Sequence, residues 1–231
     1  MTVAYAVTAA AGMPETELPD SLLEQLPATV APAPWNTHCD VVSWLHPVGP
    51  EAVVAFPAVI RPAAVALAAW ALVRYRETPV GPYQEIAVTL FPDGGDGYGH
   101  IPFIAVDSLA SIVGGRTNWL LPKALASFDW SEDGRAVTIR GSAPATPAWS
   151  ISVRHAPADD PTPFAAPSLV EQVSTEGLVG RFEAELNGAL TATTVEVDGH
   201  ADGPLAALLR PGRFDGSAMS GCRFDVGPLT G

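Results

Sequence analysis

The chain has 231 residues, 48% of them hydrophobic, and its 25 acidic against 12 basic residues give a formal net charge of -13. That length supports one sizeable core, and residues 1–231 read as a single domain. The charge repels phosphate backbones and anionic headgroups, which argues against nucleic acid or a membrane surface as a partner. With 23 prolines, 21 glycines and only 16% charged residues, the composition suits short strands joined by turns, so a mostly β fold is expected.

Residues 1–34 mix Ala, Pro and Thr and read as an N-terminal arm packed loosely on the body, with one short helical candidate over Asp20 to Leu26. The first fourteen residues carry no Lys or Arg to start a secretory signal, so a cytoplasmic protein is expected. Asp40 to His46 and Ala52 to Ile60 read as strands. Pro62 to Tyr75 is ambiguous, because its alanines favour a helix while its flanking prolines suit a buried strand. It is too short to span a bilayer.

Tyr83 to Phe91 and Tyr98 to Val106 alternate around the Pro92–Gly97 turn, which is a hairpin pattern. No Lys and no helical pattern follow these glycines, which weakens a phosphate-loop reading. Asp107 is a candidate N-cap for a short helix over Ser108 to Val113, closed by Gly114 and Gly115. Further strands are expected over Ala136 to Arg140, Trp149 to Arg154, Gly180 to Leu186, Thr191 to Val197 and Cys222 to Val226, with a helical turn over Pro204 to Leu209.

Cys39 and Cys222 form no metal-ligating cluster and read as buried free thiols. Five scattered histidines show neither i, i+4 pairing nor HExxH, so no metal or cofactor is expected, and no Gly-x-Ser-x-Gly elbow is present.

The chemistry gathers at Lys123, the only lysine in the chain. It stands in the apolar run Trp119-Leu120-Leu121-Pro122-Lys123-Ala124-Leu125-Ala126, where an ammonium loses hydration unless paired. Burial is expected to lower its pKa below about 10.4, and a neutral amine is what attack on a carbonyl requires. The plainer alternative is a lysine whose stem covers apolar side chains while its head stays in water. Glu85 likewise reads either as a pocket carboxylate or as a solvated strand charge. Arg116 is either a cation bridging carbonyls at a helix end or a clamp for a substrate carboxylate. Tyr83, Trp119 and Leu120 are candidate pocket walls.

The run Thr78-Pro79-Val80-Gly81-Pro82-Tyr83-Gln84-Glu85, with Asp107-Ser108-Leu109-Ala110, Gly115-Arg116, Trp119 and Leu121-Pro122-Lys123, resembles the acetoacetate decarboxylase superfamily over roughly residues 78–130. The resemblance implies an α+β fold dominated by an antiparallel, barrel-like sheet, and so a strand over Ala66 to Arg74. It also implies that Lys123 forms a Schiff base and that Glu85 is the pocket carboxylate. The pattern departs at Thr117, Leu120 and Ala124, where the family typically carries Glu, Gly and a second Lys. Neither the upstream pocket arginine, expected within Trp35 to Leu45, nor a second carboxylate near Trp70 is evident. The expected protein is a cytoplasmic homo-oligomer that acts on a small oxo acid or related carbonyl compound through Lys123 and Glu85, by decarboxylation or by aldol or dehydration chemistry. Tyr83, Arg116, Trp119 and Leu120 would contact the substrate. The alternative from another class is a binding or sensory protein that keeps the pocket without turnover.

Overall fold

The computed structural model describes residues 3–141, 147–156 and 160–231. Among these residues three short α-helices, α1 (Val3–Thr8), α2 (Asp20–Leu23) and α3 (Leu109–Trp119), accompany ten strands. These are β1 (Trp35–Pro47), β2 (Val65–Glu77), β3 (Tyr83–Pro92), β4 (His100–Val106), β5 (Lys123–Trp130), β6 (Ala136–Gly141), β7 (Trp149–His155), β8 (Thr162–Val173), β9 (Val179–Ala201) and β10 (Gly212–Val226). They form one sheet in the order β10-β1-β2-β3-β4-β5-β6-β7-β9-β8, and a further β10–β9 pairing closes it into a ring, leaving β8 as an edge. The mostly β, barrel-like expectation is met.

Every pairing between these ten strands is antiparallel except β4 with β5, which run parallel through the crossover helix α3. That crossover brings Lys123, the first residue of β5, opposite Ile104. Alternation along β3 then splits its side chains between two faces. Ile86, Val88 and Leu90 enter the largest core with Trp44, Trp70 and Phe103. Tyr83 and Glu85 lie on the opposite face of β3, where Tyr83 clusters with Tyr75 and with Ile112 of α3.

The strand over Ala66 to Arg74 is present within β2, and its local helical propensity is overridden because β1 and β3 pair with it along nearly its whole length. The expected strand over Ala52 to Ile60 is instead two 3-10 turns, Pro50–Ala55 and Ala58–Ile60. Pro50, Pro57 and Pro62 punctuate it too closely for a ladder, while Ala52 and Phe56 still bury in the core. The two strands expected between Gly180 and Val197 are one 23-residue strand. Gly188 signals no turn: a Cβ there would lie 2.7 Å from Cys222 Cβ, so it permits close approach of β10.

The helix expected to stop at Gly114–Gly115 runs through both glycines and ends at Trp119, with Ser108 rather than Asp107 as N-cap. Asp107 instead accepts the backbone N–H and side-chain amide of Gln84. The arm is not loose. Val7, Met13, Glu15, Thr16 and Leu22 are all buried, and only Met1 and Thr2 of it lie outside the described residues. Cys39 and Cys222 are buried free thiols, 3.5 Å apart across β1 and β10. Among the described residues no helix is long and apolar enough to cross a membrane, and no cluster of His, Cys, Asp and Glu could hold a metal.

Candidate active site

Lys123 is only 4% exposed, so its stem does not reach water. Its Nζ donates to Glu85 Oε2 at 2.6 Å, to Ser111 Oγ at 3.0 Å and to Tyr83 OH at 3.3 Å. Tyr83 and Glu85 stand two residues apart on β3 and therefore share a face, while Ser111 comes from the first turn of α3. Tyr75 of β2, directly opposite Tyr83 in the ladder, stacks on it at a centroid distance of 4.4 Å and donates to Glu85 Oε1 at 3.3 Å. The carboxylate is thus held on one oxygen by a phenol and on the other by the amine.

The helix gives the lysine room. A Cβ on Gly115 would stand 2.5 Å from Lys123 Cδ and 2.6 Å from Cε, so the stem occupies the space that any side chain there would need. Gly114 likewise faces the Trp35 ring at 2.4 Å. Both glycines weaken the helix by about 1 kcal/mol each relative to alanine, and the close packing they permit offsets this.

Burial pulls the Lys123 amine towards the neutral form, but the adjacent Glu85 carboxylate, with Tyr83, pulls it back further, and the net direction is upward. The expectation of a pKa lowered by burial is therefore corrected: the desolvated amine has an anionic partner in contact, which sequence spacing did not reveal. The resting amine is therefore held as an ammonium beside Glu85. Burial pushes the Tyr83 phenol up to about 12, so it stays protonated near neutral pH.

The structure brings Lys123, Glu85 and Tyr83 together and places the other expected site residues elsewhere. The Arg116 guanidinium donates to three carbonyls, those of Lys123 at 2.8 Å, Val7 at 3.1 Å and Thr16 at 2.5 Å. This is the carbonyl-bridging alternative, with burial lowering its pKa to about 10. Trp119 donates from Nε1 to Gly227 O at 2.6 Å and packs edge-on against Trp35, within core. Leu120 caps α3 in the left-handed region (φ 56) and lines a cavity of about 290 Å³ with Arg116, Thr117, Ser174 and Leu178, whose lining does not include Lys123. The left-handed backbone gives a physical reason for glycine at this position.

Ser111 and Tyr75 escape sequence reasoning. Tyr75 ends the ambiguous apolar run, and only a strand assignment in register with Tyr83 would place it beside Glu85. Ser111 looks like one more polar residue in a helix start, and its contact exists only because α3 crosses over the sheet.

A family profile described as Acetoacetate decarboxylase (ADC) matches residues 21–208. No curated protein sequence matches the chain. Among solved structures, an acetoacetate decarboxylase-like enzyme from Sphingomonas wittichii RW1 superposes with a TM-score of 0.59 at 15% identity, over 87% of this chain and 93% of that one. The acetoacetate decarboxylase from Legionella pneumophila gives 0.54 at 14% identity, over 88% and 89%. The enduracididine biosynthesis enzyme MppR, in complex with pyruvate, gives 0.55 at 17% identity, over 88% and 91%. At these identities the superpositions speak for the fold, whereas the profile spans most of the sequence. The chain belongs to the acetoacetate decarboxylase family.

Proposed function

We propose that the protein is a Schiff-base lyase acting on a small oxo acid or related carbonyl compound, with Lys123 as nucleophile and Glu85 as its proton partner. The observation that carries this reading is the buried Lys123 amine in contact with the Glu85 carboxylate, 2.6 Å away. An exposed ion pair would need no explanation, but a buried pair contributes little net stability over apolar packing. Its use is chemical. Transfer of one proton from Nζ to Glu85 converts two buried charges into a neutral amine and a neutral acid, a state that burial favours.

The amine then attacks the carbonyl carbon, and a proton passes from nitrogen to oxygen to give a carbinolamine. Glu85 returns its proton to the departing hydroxyl, water leaves, and an iminium faces a carboxylate again. With a β-oxo acid, the bond to the carboxylate carbon breaks and its electron pair forms the C=C bond of an enamine as the C=N pair moves onto nitrogen. Carbon dioxide leaves, the enamine is protonated at carbon, and hydrolysis frees the lysine. With an α-oxo acid, proton loss from the adjacent carbon gives an enamine able to attack an aldehyde. Support for the second route is that MppR has been captured with the condensation product of pyruvate and imidazole 4-carboxaldehyde. The same reading takes the protein as a cytoplasmic homo-oligomer that needs no cofactor.

The test is trapping. Incubation with pyruvate or acetoacetate, reduction with borohydride and intact-mass measurement should give an adduct that disappears in Lys123→Ala. Absence of adduct across a panel of small oxo acids would favour the binding-protein reading. An adduct surviving Lys123→Ala would place the chemistry on another amine, such as that of Met1, which lies outside the described residues.

A further inference from the structure

The ammonium of Lys123 has three N–H bonds, and the site offers three acceptors: Glu85 Oε2, Ser111 Oγ and Tyr83 OH. Ser111 is 0% exposed and Tyr83 5%, so neither hydroxyl faces bulk solvent. Because the Ser111 hydroxyl and the Tyr83 phenol accept from the same nitrogen, at 3.0 and 3.3 Å, the two stand side by side at the amine. An iminium formed at Nζ carries a single N–H, which Glu85 takes. Two buried hydroxyls then lose the donor they were accepting from, and a buried polar group without a partner is costly.

A hydroxyl differs from a carboxylate here because it can rotate and donate. We propose that Ser111, together with Tyr83, is a specificity-determining oxygen receptor: once the imine forms, both hydroxyls turn and donate to an acceptor oxygen carried by the substrate next to its carbonyl carbon. That selects oxo acids over plain ketones. It also supplies what the missing pocket arginine would otherwise supply, since the Arg116 guanidinium is engaged with carbonyls of the backbone. Neutral hydroxyl donors bind a carboxylate more weakly than a guanidinium does, but they do so without burying a further charge. The high pKa of Tyr83 keeps its proton available for donation. The inference rests on Schiff-base formation at Lys123.

Competing rates of borohydride trapping separate the two readings. Wild type and Ser111→Ala are each incubated with pyruvate and, separately, with butanone, which has a similar shape but no second oxygen. Ser111→Ala should lower the ratio of the pyruvate to the butanone trapping rate by about tenfold or more, whatever the common change in amine reactivity. Alanine suits the helix interior, and the butanone rate on the same sample reports any general loss of fold or amine reactivity. An equal fall for both compounds would show that Ser111 only holds the lysine, and no fall would show that it has no part; either result overturns the proposal. Failure of wild type to trap either compound would instead sink the Schiff-base reading and this one with it.

Discussion

Glu85 decides the charge of Lys123, and its removal should invert how stability responds to pH. In the folded protein the Lys123 pKa is raised, so the pair's stabilisation is fully present below the unfolded lysine value of about 10.4 and is lost as pH climbs through the folded value. Glu85→Gln removes the larger part of the upward pull, so that burial, the largest single influence on the amine, outweighs what Tyr83 still contributes and the folded pKa falls below the unfolded one. The unfolded chain then binds the extra proton, and stability should rise with pH up to about 10.4. Urea unfolding midpoints from about pH 7 to 10 should therefore climb in Glu85→Gln and not in wild type, with a loss near neutral pH of about 3–5 kcal/mol. A variant whose midpoints run parallel to wild type would mean that the pair is not coupled. At this scale the sequence disclosed the lysine and its carboxylate, because Pro122-Lys123 and Tyr83-Gln84-Glu85 are contiguous motifs. It misjudged the sign of the pKa shift because contact between β3 and β5 residues depends on two intervening elements, β4 and α3.

Helix α3 is where element and site meet, and its glycines allow them to be separated. In Gly115→Ala the new Cβ meets the Lys123 stem at 2.5 Å, and the stem can yield only by drawing Nζ off Glu85. Overpacking of about 1–3 kcal/mol is partly offset by about 1 kcal/mol of helix propensity, so stability should fall modestly while imine formation falls by more than about tenfold. Gly114→Ala meets instead the rigid indole of Trp35, which is anchored by a hydrogen bond from Nε1 to Ala31 O at 3.1 Å. It should lose more stability yet retain imine formation per folded molecule. Thermal melts and trapping rates on both variants check this, and equal trapping loss in the two would count against a specific role for Gly115. Gly-Gly was legible as punctuation but not as close packing, since a stop and a close approach share one signature until the partner is known. No strand is expected over residues 162–173, and Pro163 and Pro167 are tolerated in β8 because it is an edge.

Across the whole molecule, the resemblance conveyed a barrel-like sheet, but the residues alone did not show which strands close it: β9 pairs with β7 and β8 on one side and with β10 on the other. Nor did they show how the arm is held. Arg116 fastens the arm at Val7 and Thr16 to the first residue of β5, Lys123, through one guanidinium. Its three carbonyl partners belong to segments more than a hundred residues apart in sequence, with separations of 7, 109 and 100 residues from Arg116. A planar fork can serve three fixed carbonyls at once, whereas an ammonium on a flexible stem presents its donors from a single atom. Arg116→Lys keeps the charge and loses the fork. If Arg116 is the fastener, this variant should unfold earlier and release the arm. The arm contains no Lys or Arg, so a glutamate-specific protease is the suitable probe, and Glu15, only 1% exposed, is protected in the native fold. Cleavage after Glu15 should become several-fold faster in Arg116→Lys, tracking the larger open population. The apparent affinity for oxo acid, measured on the folded fraction, should change little. A large loss of oxo-acid affinity with the arm still protected would return Arg116 to the role of substrate clamp and remove it from the arm.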